Sequence, residues 1–215
     1  MTTLKEQIAE FDRQKALNMP GEILAAMDEG IQSLKASSLE EGALKTGDTA
    51  PDFKLPDHLG GMRSLREYLA DSLVVLSFYR GGWCPYCNME LNALQKVLPA
   101  IQQAGATLVA VSPETPDHSL STREKNELAF DILFDQGNRV AKDFGLVFEL
   151  PKALQPIYTD IGIDIPGYNG DNSYEIPMPA TYIINKQGKI VYHFIDADYT
   201  RRSEPEEILR QLKRL

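Results

Sequence analysis

The chain has 215 residues, of which 43% are hydrophobic and 25% charged, and its 31 acidic and 22 basic residues leave a net charge of -9. This indicates a globular protein of one domain, or one domain with an appendage, and excludes a membrane-spanning protein because no apolar run reaches the roughly 20 residues required. The negative charge repels phosphate groups and so disfavours nucleic acid and anionic membranes as partners. The start of the chain mixes charges of both signs and lacks the pattern of a secretory signal, so a cytoplasmic location is expected.

The first 45 residues predict two short helices. Apolar residues recur at helical spacing between Leu4 and Phe11 and again between Leu24 and Leu34, with a Pro-Gly turn between the two runs. Because short helices need tertiary burial, the pair is expected either to pack on the main domain or to form an arm that contacts a second subunit of a homodimer. Turn-forming residues then place a boundary near residue 45, between a helical extension (1–45) and a main domain (46–215).

The residues after this boundary predict alternating strands and helices. Leu73 to Tyr79 is a nearly continuous apolar run, typical of a central strand covered on both faces. A helix over 90–103 and a second buried strand over 107–112 complete a right-handed crossover with parallel strands. Shorter elements are also predicted: a strand at 52–55, a helix at 64–69, a helix at 116–128, an edge strand at 132–134 and a helical turn at 140–144.

The last third of the chain predicts a loop, a hairpin and a helix. Pro151 to Pro177 is rich in Pro, Gly, Asp and Asn and predicts a long irregular loop. Two apolar runs at 181–185 and 189–194 flank a short turn and predict an antiparallel hairpin. Ser203 and Glu206 have the spacing of a capping box and predict the start of a final helix.

The two cysteines of the chain, Cys84 and Cys87, lie where the central strand ends and a helix begins. Unpaired N–H groups and the helix dipole stabilise a thiolate at such a position. Residues three apart on a helix have Cβ atoms about 5–6 Å apart, so a disulfide can form after a small adjustment. The pattern favours a reversible redox pair over two inert buried cysteines. Zinc is disfavoured because it needs about four ligands and no histidine has ligand spacing to the pair, so neither a metal nor another cofactor is expected.

Other residues near the pair have two interpretations each. Arg80 either supplies positive charge near a thiolate or covers the end of the sheet. Trp83 either shields the sulfur and shapes a docking surface or only packs. Glu114 follows a strand at the edge where ligands bind in α/β sheets, but the sequence favours a helix-capping role for it. His118 is expected to be exposed in the first turn of a helix.

Four motifs, GDTAPDF at 47–53, FYRGGWCPYC at 78–87, VSPE at 111–114 and MPATY at 178–182, resemble the alkyl hydroperoxide reductase and thiol-specific antioxidant family. The resemblance covers roughly residues 46 to 200. It implies an α/β, thioredoxin-like fold with a central mixed sheet flanked by helices, to which the N-terminal helices add an extension. It also implies a peroxiredoxin-like reduction of hydroperoxides by thiols, with thioredoxin or glutaredoxin as the reductant.

The cysteine motif departs from that of ordinary peroxiredoxins. Their attacking cysteine ends a Pro-x-x-x-Thr-x-x-Cys motif, and the same spacing here places Arg80 on the proline, Cys84 on the threonine and Cys87 on the cysteine. Alignment with the thioredoxin-type Trp-Cys-x-x-Cys motif makes Cys84 the attacking residue instead. We expect the second alignment to hold, because Cys84 stands at the very start of the helix, where exposure is expected to be greatest, and Cys87 lies a turn inside.

A second departure concerns the segment before the hairpin. The family's peroxide-polarising arginine is expected there, but the chain has Met178, Pro179 and Thr181. Pro179 resembles the cis-proline of thioredoxins, so the resemblance implies a cis Met178–Pro179 bond packed against the cysteines. These three residues are therefore assigned supporting roles at the site.

The combined interpretation is a thiol peroxidase. One thiolate attacks the peroxide, becomes a sulfenic acid, and is resolved by its partner into a disulfide. A thiol–disulfide oxidoreductase that acts on protein disulfides is one alternative, and a non-catalytic module whose disulfide state is sensed by a partner is another.

Overall fold

A computed structural model describes residues 2–215 of the chain and is built around a five-stranded mixed sheet. The strands are β1 (Lys54–Pro56), β2 (Met62–Ser64), β3 (Leu73–Phe78), β4 (Ala106–Ser112), β5 (Asp131–Phe134), β6 (Val147–Glu149), β7 (Glu175–Pro177), β8 (Ala180–Ile184) and β9 (Ile190–Ile195). The large sheet has the order β5-β4-β3-β8-β9, in which β3, β4 and β5 are parallel and β8 is antiparallel to both its neighbours. The predicted central strand, edge strand and hairpin are confirmed.

Helices cover the sheet and precede it. They are α1 (Leu4–Asn18), α2 (Gly21–Ala36), α3 (Leu39–Gly42), α4 (Leu65–Asp71), α5 (Pro85–Gln103), α6 (Pro116–Lys125), α7 (Arg139–Asp143), α8 (Leu154–Asp160), α9 (Ile165–Asn169) and α10 (Pro205–Leu212). The two predicted N-terminal helices are confirmed, and both pack on the rest of the chain: α1 contacts α5, and α2 contacts α8. No helix among the described residues has the length and apolar character needed to span a membrane.

The central strand separates two apolar clusters because its side chains alternate between the faces of the sheet. Val74, Leu76 and Phe78 belong to one cluster, whereas Val75 and Tyr79 belong to the other. The second cluster also contains both cysteines and the buried face of α5. Cys84 and Cys87 therefore both lie in the hydrophobic core on one face of the sheet.

Two predictions about the last third of the chain are wrong. The segment from Pro151 to Pro177 is not an irregular loop, since it contains α8, α9 and β7, and β7 pairs with β6. Its turn-rich composition hid Tyr158 and Ile165, which are buried in one cluster with Met27 of α2. Tertiary burial therefore organises a stretch that has no clear periodicity of its own.

The predicted capping box at the final helix is the other error. Helix α10 begins at Pro205, and its N-cap residue is Glu204. Ser203 is instead hydrogen-bonded to the hydroxyl of Tyr192 at 2.9 Å. The Glu204 carboxylate accepts the backbone N–H groups of Leu4, at 3.2 Å, and Lys5, at 2.7 Å, and so caps helix α1.

Candidate active site

The backbone turns sharply between the central strand and α5, and two glycines make this turn. Gly81 has φ +146°, and a Cβ atom there would lie 2.3 Å from the indole nitrogen of Trp83. A Cβ atom on Gly82 would lie 2.0 Å from the hydroxyl of Thr122. Cys84 is the N-cap residue of α5 and Pro85 is its first helical residue. The turn thus delivers the cysteine pair to the N-terminus of the helix, as predicted.

The two cysteines are buried, and their sulfurs are not joined by a disulfide. The exposed fraction is 1% for Cys84 and 0% for Cys87, so the clearly greater exposure that was expected for Cys84 is not found. The cover comes partly from helix α1, whose Phe11 packs edge-to-face against Tyr86 with ring centroids 5.2 Å apart. Cys84 nevertheless lines a small pocket of about 100 Å³, whereas Cys87 does not.

The electrostatic environment separates the two thiols. Burial opposes ionisation of Cys84, but a hydrogen bond from the Cys87 thiol and the charges of Arg80 and Arg202 outweigh it and lower the pKa of Cys84 to about 6. Burial, the proton donated to Cys84 and the nearby Cys84 charge raise the pKa of Cys87 well above its ordinary value. The pair therefore favours one thiolate, on Cys84, hydrogen-bonded by one thiol.

Arg80 lies in an aromatic cage beside the pair. Its guanidinium carbon is 4.2 Å from the ring centroid of Tyr199 and 4.7 Å from that of Trp83. Its Nη2 donates a hydrogen bond to the hydroxyl of Tyr158 at 3.0 Å, and its Nε has no hydrogen-bond partner within residues 2–215. Of the two roles predicted for Arg80, the structure supports the positive charge near the thiolate, and Trp83 packs against that charge.

A buried ion pair on the other side of Cys87 was not predicted. Arg202 Nε lies 2.6 Å from Glu90 Oε2, and Arg202 Nη2 donates to the Cys87 sulfur at 3.5 Å. Thr181, a predicted site residue, donates to Glu90 Oε1 at 3.4 Å. Burial raises the pKa of Glu90 to about 7, although the Arg202 charge opposes this. Glu90 could have been noticed in the sequence, because it places a carboxylate three residues after Cys87 on an otherwise apolar helix face. Nothing in the sequence indicates that Arg202 belongs to the site.

Glu114 holds the turn that precedes the cysteines. Its Oε1 accepts the backbone N–H of Gly82 at 2.6 Å, and its Oε2 accepts the hydroxyls of Tyr79, at 3.2 Å, and Thr122, at 3.3 Å. Burial raises its pKa to about 7. The predicted helix-capping role is wrong, because the N-cap of α6 is Thr115, whose side chain makes no capping hydrogen bond.

Neither carboxylate joins a metal site. Within the described range 2–215, no group of three or more His, Cys, Asp and Glu side chains has an arrangement that could hold a metal ion. His118, predicted to be exposed, is half-buried and stacks on Tyr168 with ring centroids 4.2 Å apart. Its surroundings are therefore aromatic.

The segment before the hairpin differs from the prediction. None of the peptide bonds between residues 2 and 215 is cis, so the predicted cis Met178–Pro179 bond is wrong. Strand pairing of Pro177 with Val147 and a hydrogen bond from the Met178 N–H to Leu146 O, at 2.8 Å, fix the approach to β8. The Met178 side chain is buried in the cluster on the sheet face opposite the cysteines. Of the three residues assigned here, only Thr181 makes a hydrogen bond to the charged network of the site.

These features together define a class of protein. A pair of neighbouring cysteines begins the helix that follows the central strand of a mixed sheet, and its surroundings stabilise a thiolate on one of them. This is a thiol oxidoreductase with a thioredoxin-like fold.

Comparisons with known proteins place the chain within that class. The model of the AhpC/TSA family matches residues 46–193, and the chain belongs to this family. Peroxiredoxin Bcp of Escherichia coli is 30% identical over 103 residues, which are 48% of this chain and 65% of that protein. Among solved structures, peroxidoxin BcpB from Mycobacterium tuberculosis shares the fold, with a TM-score of 0.63 and 23% identity over 80% of this chain and 98% of that one. The peroxiredoxin resemblance seen in the motifs is confirmed.

A second kind of relative also matches. The thiol-disulfide oxidoreductase ResA of Geobacillus thermodenitrificans is 28% identical over 152 residues, which are 70% of each chain. The matched family range begins after α1, α2 and α3, so the N-terminal helices lie outside it.

Proposed function

We propose that the protein is a thiol-dependent peroxidase in which Cys84 attacks the hydroperoxide and Cys87 resolves the product. The observation that carries this proposal is the lowered pKa of Cys84, about 6, at a sulfur that lines a pocket. A thiol with that pKa is about 90% ionised at pH 7, whereas an ordinary thiol of pKa about 8.5 is about 3% ionised. Membership of the AhpC/TSA family supports the choice of hydroperoxide as the oxidant.

The first step oxidises Cys84. Its thiolate attacks the terminal oxygen of R–O–O–H, an S–O bond forms, the O–O bond breaks, and the leaving alkoxide takes up a proton as the alcohol. The sulfur becomes a sulfenic acid. Arg80, which contributes to the low pKa of Cys84, supplies positive charge where negative charge develops on the leaving oxygen.

The second step forms the disulfide. Cys87 attacks the Cys84 sulfur, the S–S bond forms, the S–O bond breaks, and the hydroxide leaves as water with the proton of the Cys87 thiol. Loss of that proton is assisted by Arg202, whose guanidinium contacts the Cys87 sulfur. A dithiol protein such as thioredoxin or glutaredoxin then reduces the disulfide by exchange. A cytoplasmic location suits this cycle because thiols are kept reduced there.

Single-cysteine variants test the proposal. Stopped-flow oxidation of the wild type, Cys84→Ser and Cys87→Ser with hydrogen peroxide and an organic hydroperoxide measures which sulfur reacts. We expect Cys87→Ser to form a trappable sulfenic acid at near wild-type rate, and Cys84→Ser to react far more slowly. Rapid sulfenic acid formation in Cys84→Ser would show that Cys87 attacks, as in the peroxiredoxin spacing.

The second candidate function is that of a thiol–disulfide oxidoreductase, which the ResA relatives favour. In that case Cys84 attacks a protein disulfide, and the same Cys84–Cys87 disulfide closes the cycle. Insulin reduction with a thiol donor, measured beside the peroxide rates, separates the two functions. Slow rates in both assays, with a disulfide that still forms under mild oxidation, would favour the redox-sensing module.

A further inference from the structure

We propose that the N-terminal helices are part of the active site, and that they form the wall which selects a hydroperoxide with a small apolar group. This inference rests on the proposed peroxidase function and names the substrate that the site admits. It concerns α1, α2 and the turn between them, all of which lie outside the range matched by the family.

The pocket on Cys84 has two sides of different origin. The inner side is formed by the redox turn, with Arg80, Trp83 and Cys84 among its residues. The outer side is formed by Phe11 of α1, Met19 after it and Met27 of α2, with Tyr158, Ile161 and Ile163 beside them. Since Cys84 is 1% exposed, this pocket is where a small oxidant meets its sulfur.

The outer wall is fixed to the redox helix. Tyr86, which lies between the two cysteines, donates a hydrogen bond to Asp12 of α1 at 2.5 Å. Lys15 of α1 donates to the hydroxyl of Tyr86 at 3.4 Å, and Phe11 packs on its ring. The N-terminus of α1 is held by the carboxylate of Glu204. The first helix is therefore a permanent boundary of the pocket rather than a loose appendage.

The lining decides the chemical class of the occupant. The methionine, isoleucine and aromatic side chains offer no charge to the bound group. Two cations also line the pocket: Lys15, whose ammonium donates to the Tyr86 hydroxyl, and Arg80, whose guanidinium is buried. A peroxide group can lie beside the positive charge of Arg80 while its apolar substituent lies against Phe11, Met19 and Met27. An apolar cavity of about 150 Å³ holds a benzene molecule, so a pocket of about 100 Å³ suits a group smaller than an aryl ring.

The test varies the size of the wall and the size of the oxidant together. Reduced wild type, Met19→Ala, Met19→Trp and Leu17→Ala are oxidised in a stopped-flow instrument with hydrogen peroxide, tert-butyl hydroperoxide and cumene hydroperoxide. Leu17 is the matched control, because it lies near Met19 at the end of α1 but is 78% exposed and outside the pocket. We expect the wild type to prefer the tert-butyl compound to the cumyl compound, and Leu17→Ala to behave alike.

The Met19 variants should move this preference in opposite directions. Met19→Ala should raise the cumyl to tert-butyl rate ratio about tenfold, and Met19→Trp should slow both organic substrates relative to hydrogen peroxide. An unchanged ratio in both variants would overturn the proposed wall. If the ratio is unchanged but the wild type is oxidised rapidly by peroxide, the peroxidase function is still supported and only the proposed wall is refuted.

A second readout keeps the two proposals separate. Alkylation of Cys84 by iodoacetamide and by the bulkier N-benzyl iodoacetamide needs no peroxide chemistry. We expect Met19→Ala to accelerate the bulky reagent relative to the small one, and Met19→Trp to do the reverse. Wild-type peroxide rates equal to those of a free thiolate would refute the peroxidase function. If the alkylation ratio still changes as expected in the Met19 variants, the proposal that the N-terminal helices form the pocket wall is upheld.

Discussion

Replacing Arg202 by Met should destabilise the fold in a way that depends on pH. The substitution keeps much of the side-chain volume but removes the charge that lies 2.6 Å from Glu90. Both side chains are almost completely buried, so the Glu90 carboxylate is left without its partner in a low-dielectric core. Breaking a buried ion pair from one side costs about 3–5 kcal/mol.

The direction of the pH dependence follows from Glu90. Its pKa is raised from 4.5 to about 7, so the folded state binds a proton more tightly than the unfolded chain does. The contribution of Glu90 to the free energy of unfolding is therefore fully present below pH 4.5 and is lost as the pH rises towards 7. This loss is about 3 kcal/mol, at 1.36 kcal/mol per pH unit. Without Arg202 the pKa of Glu90 rises further, so the loss continues to higher pH. Arg202→Met should therefore cost the full amount at pH 8 and about 1–3 kcal/mol at pH 5, where a neutral Glu90 leaves only unsatisfied hydrogen bonds.

Urea unfolding at pH 5 and pH 8 measures both values. Arg201→Met is the matched control, because Arg201 pairs with Asp196 at the surface, has a side chain that is 67% exposed, and should contribute less than about 1 kcal/mol. The double variant Arg202→Met/Glu90→Met should recover most of the loss, since it removes both charges. A free energy of unfolding within about 1 kcal/mol of wild type for Arg202→Met at pH 8, or an equal loss at both pH values, would refute the reasoning.

Three further predictions concern the redox turn. The rate of alkylation of Cys84 should be half-maximal near pH 6 when it is measured with iodoacetamide in the wild type, and a midpoint near 8.5 would contradict the stabilised thiolate. Arg80→Met should raise the pKa of Cys84 and so slow its alkylation at pH 6, by about fivefold if the pKa rises from about 6 to about 7, whereas an unchanged midpoint would remove Arg80 from the site. Gly82→Ala should lower the free energy of unfolding by about 1–3 kcal/mol, because its Cβ would meet the Thr122 hydroxyl at 2.0 Å. Gly21→Ala, with nothing within 4 Å, is the control, and equal stability of the two variants would exclude this clash.

Periodicity predicted most of the fold because the main elements bury a regular face. Leu73 to Tyr79 carries apolar residues on both faces of the sheet and is the central strand, and the alternation around residue 187 is a hairpin. The helices within residues 151–177 escape prediction because their order depends on contacts with α2, which is more than 100 residues away in sequence and leaves no local pattern. Local composition there describes the turns but not the helices between them.

The sequence predicted those site residues that lie close together along the chain. Cys84, Cys87 and Arg80 lie within one short motif, and all three meet in the structure. Arg202 comes from a distant segment whose position depends on the folded chain, so no spacing rule finds it. The burial of Cys84 was missed for the same reason, because much of its cover belongs to α1 and to Tyr199.

The order in which the chain is synthesised bears on the segment that joins β9 to α10. Arg202 contacts Cys87, and Glu204 caps the first turn of α1 from 200 residues away in sequence. Chains fold from the N-terminus as they leave the ribosome, and contacts of such long range form only after both partners have emerged. During translation the cysteines thus precede the arginine that contacts Cys87, and helix α1 precedes the Glu204 carboxylate, which adds to the local capping box of Thr3 and Glu6. Tyr199 and the charge of Arg202 therefore reach the dithiol last, when residues 199–204 dock.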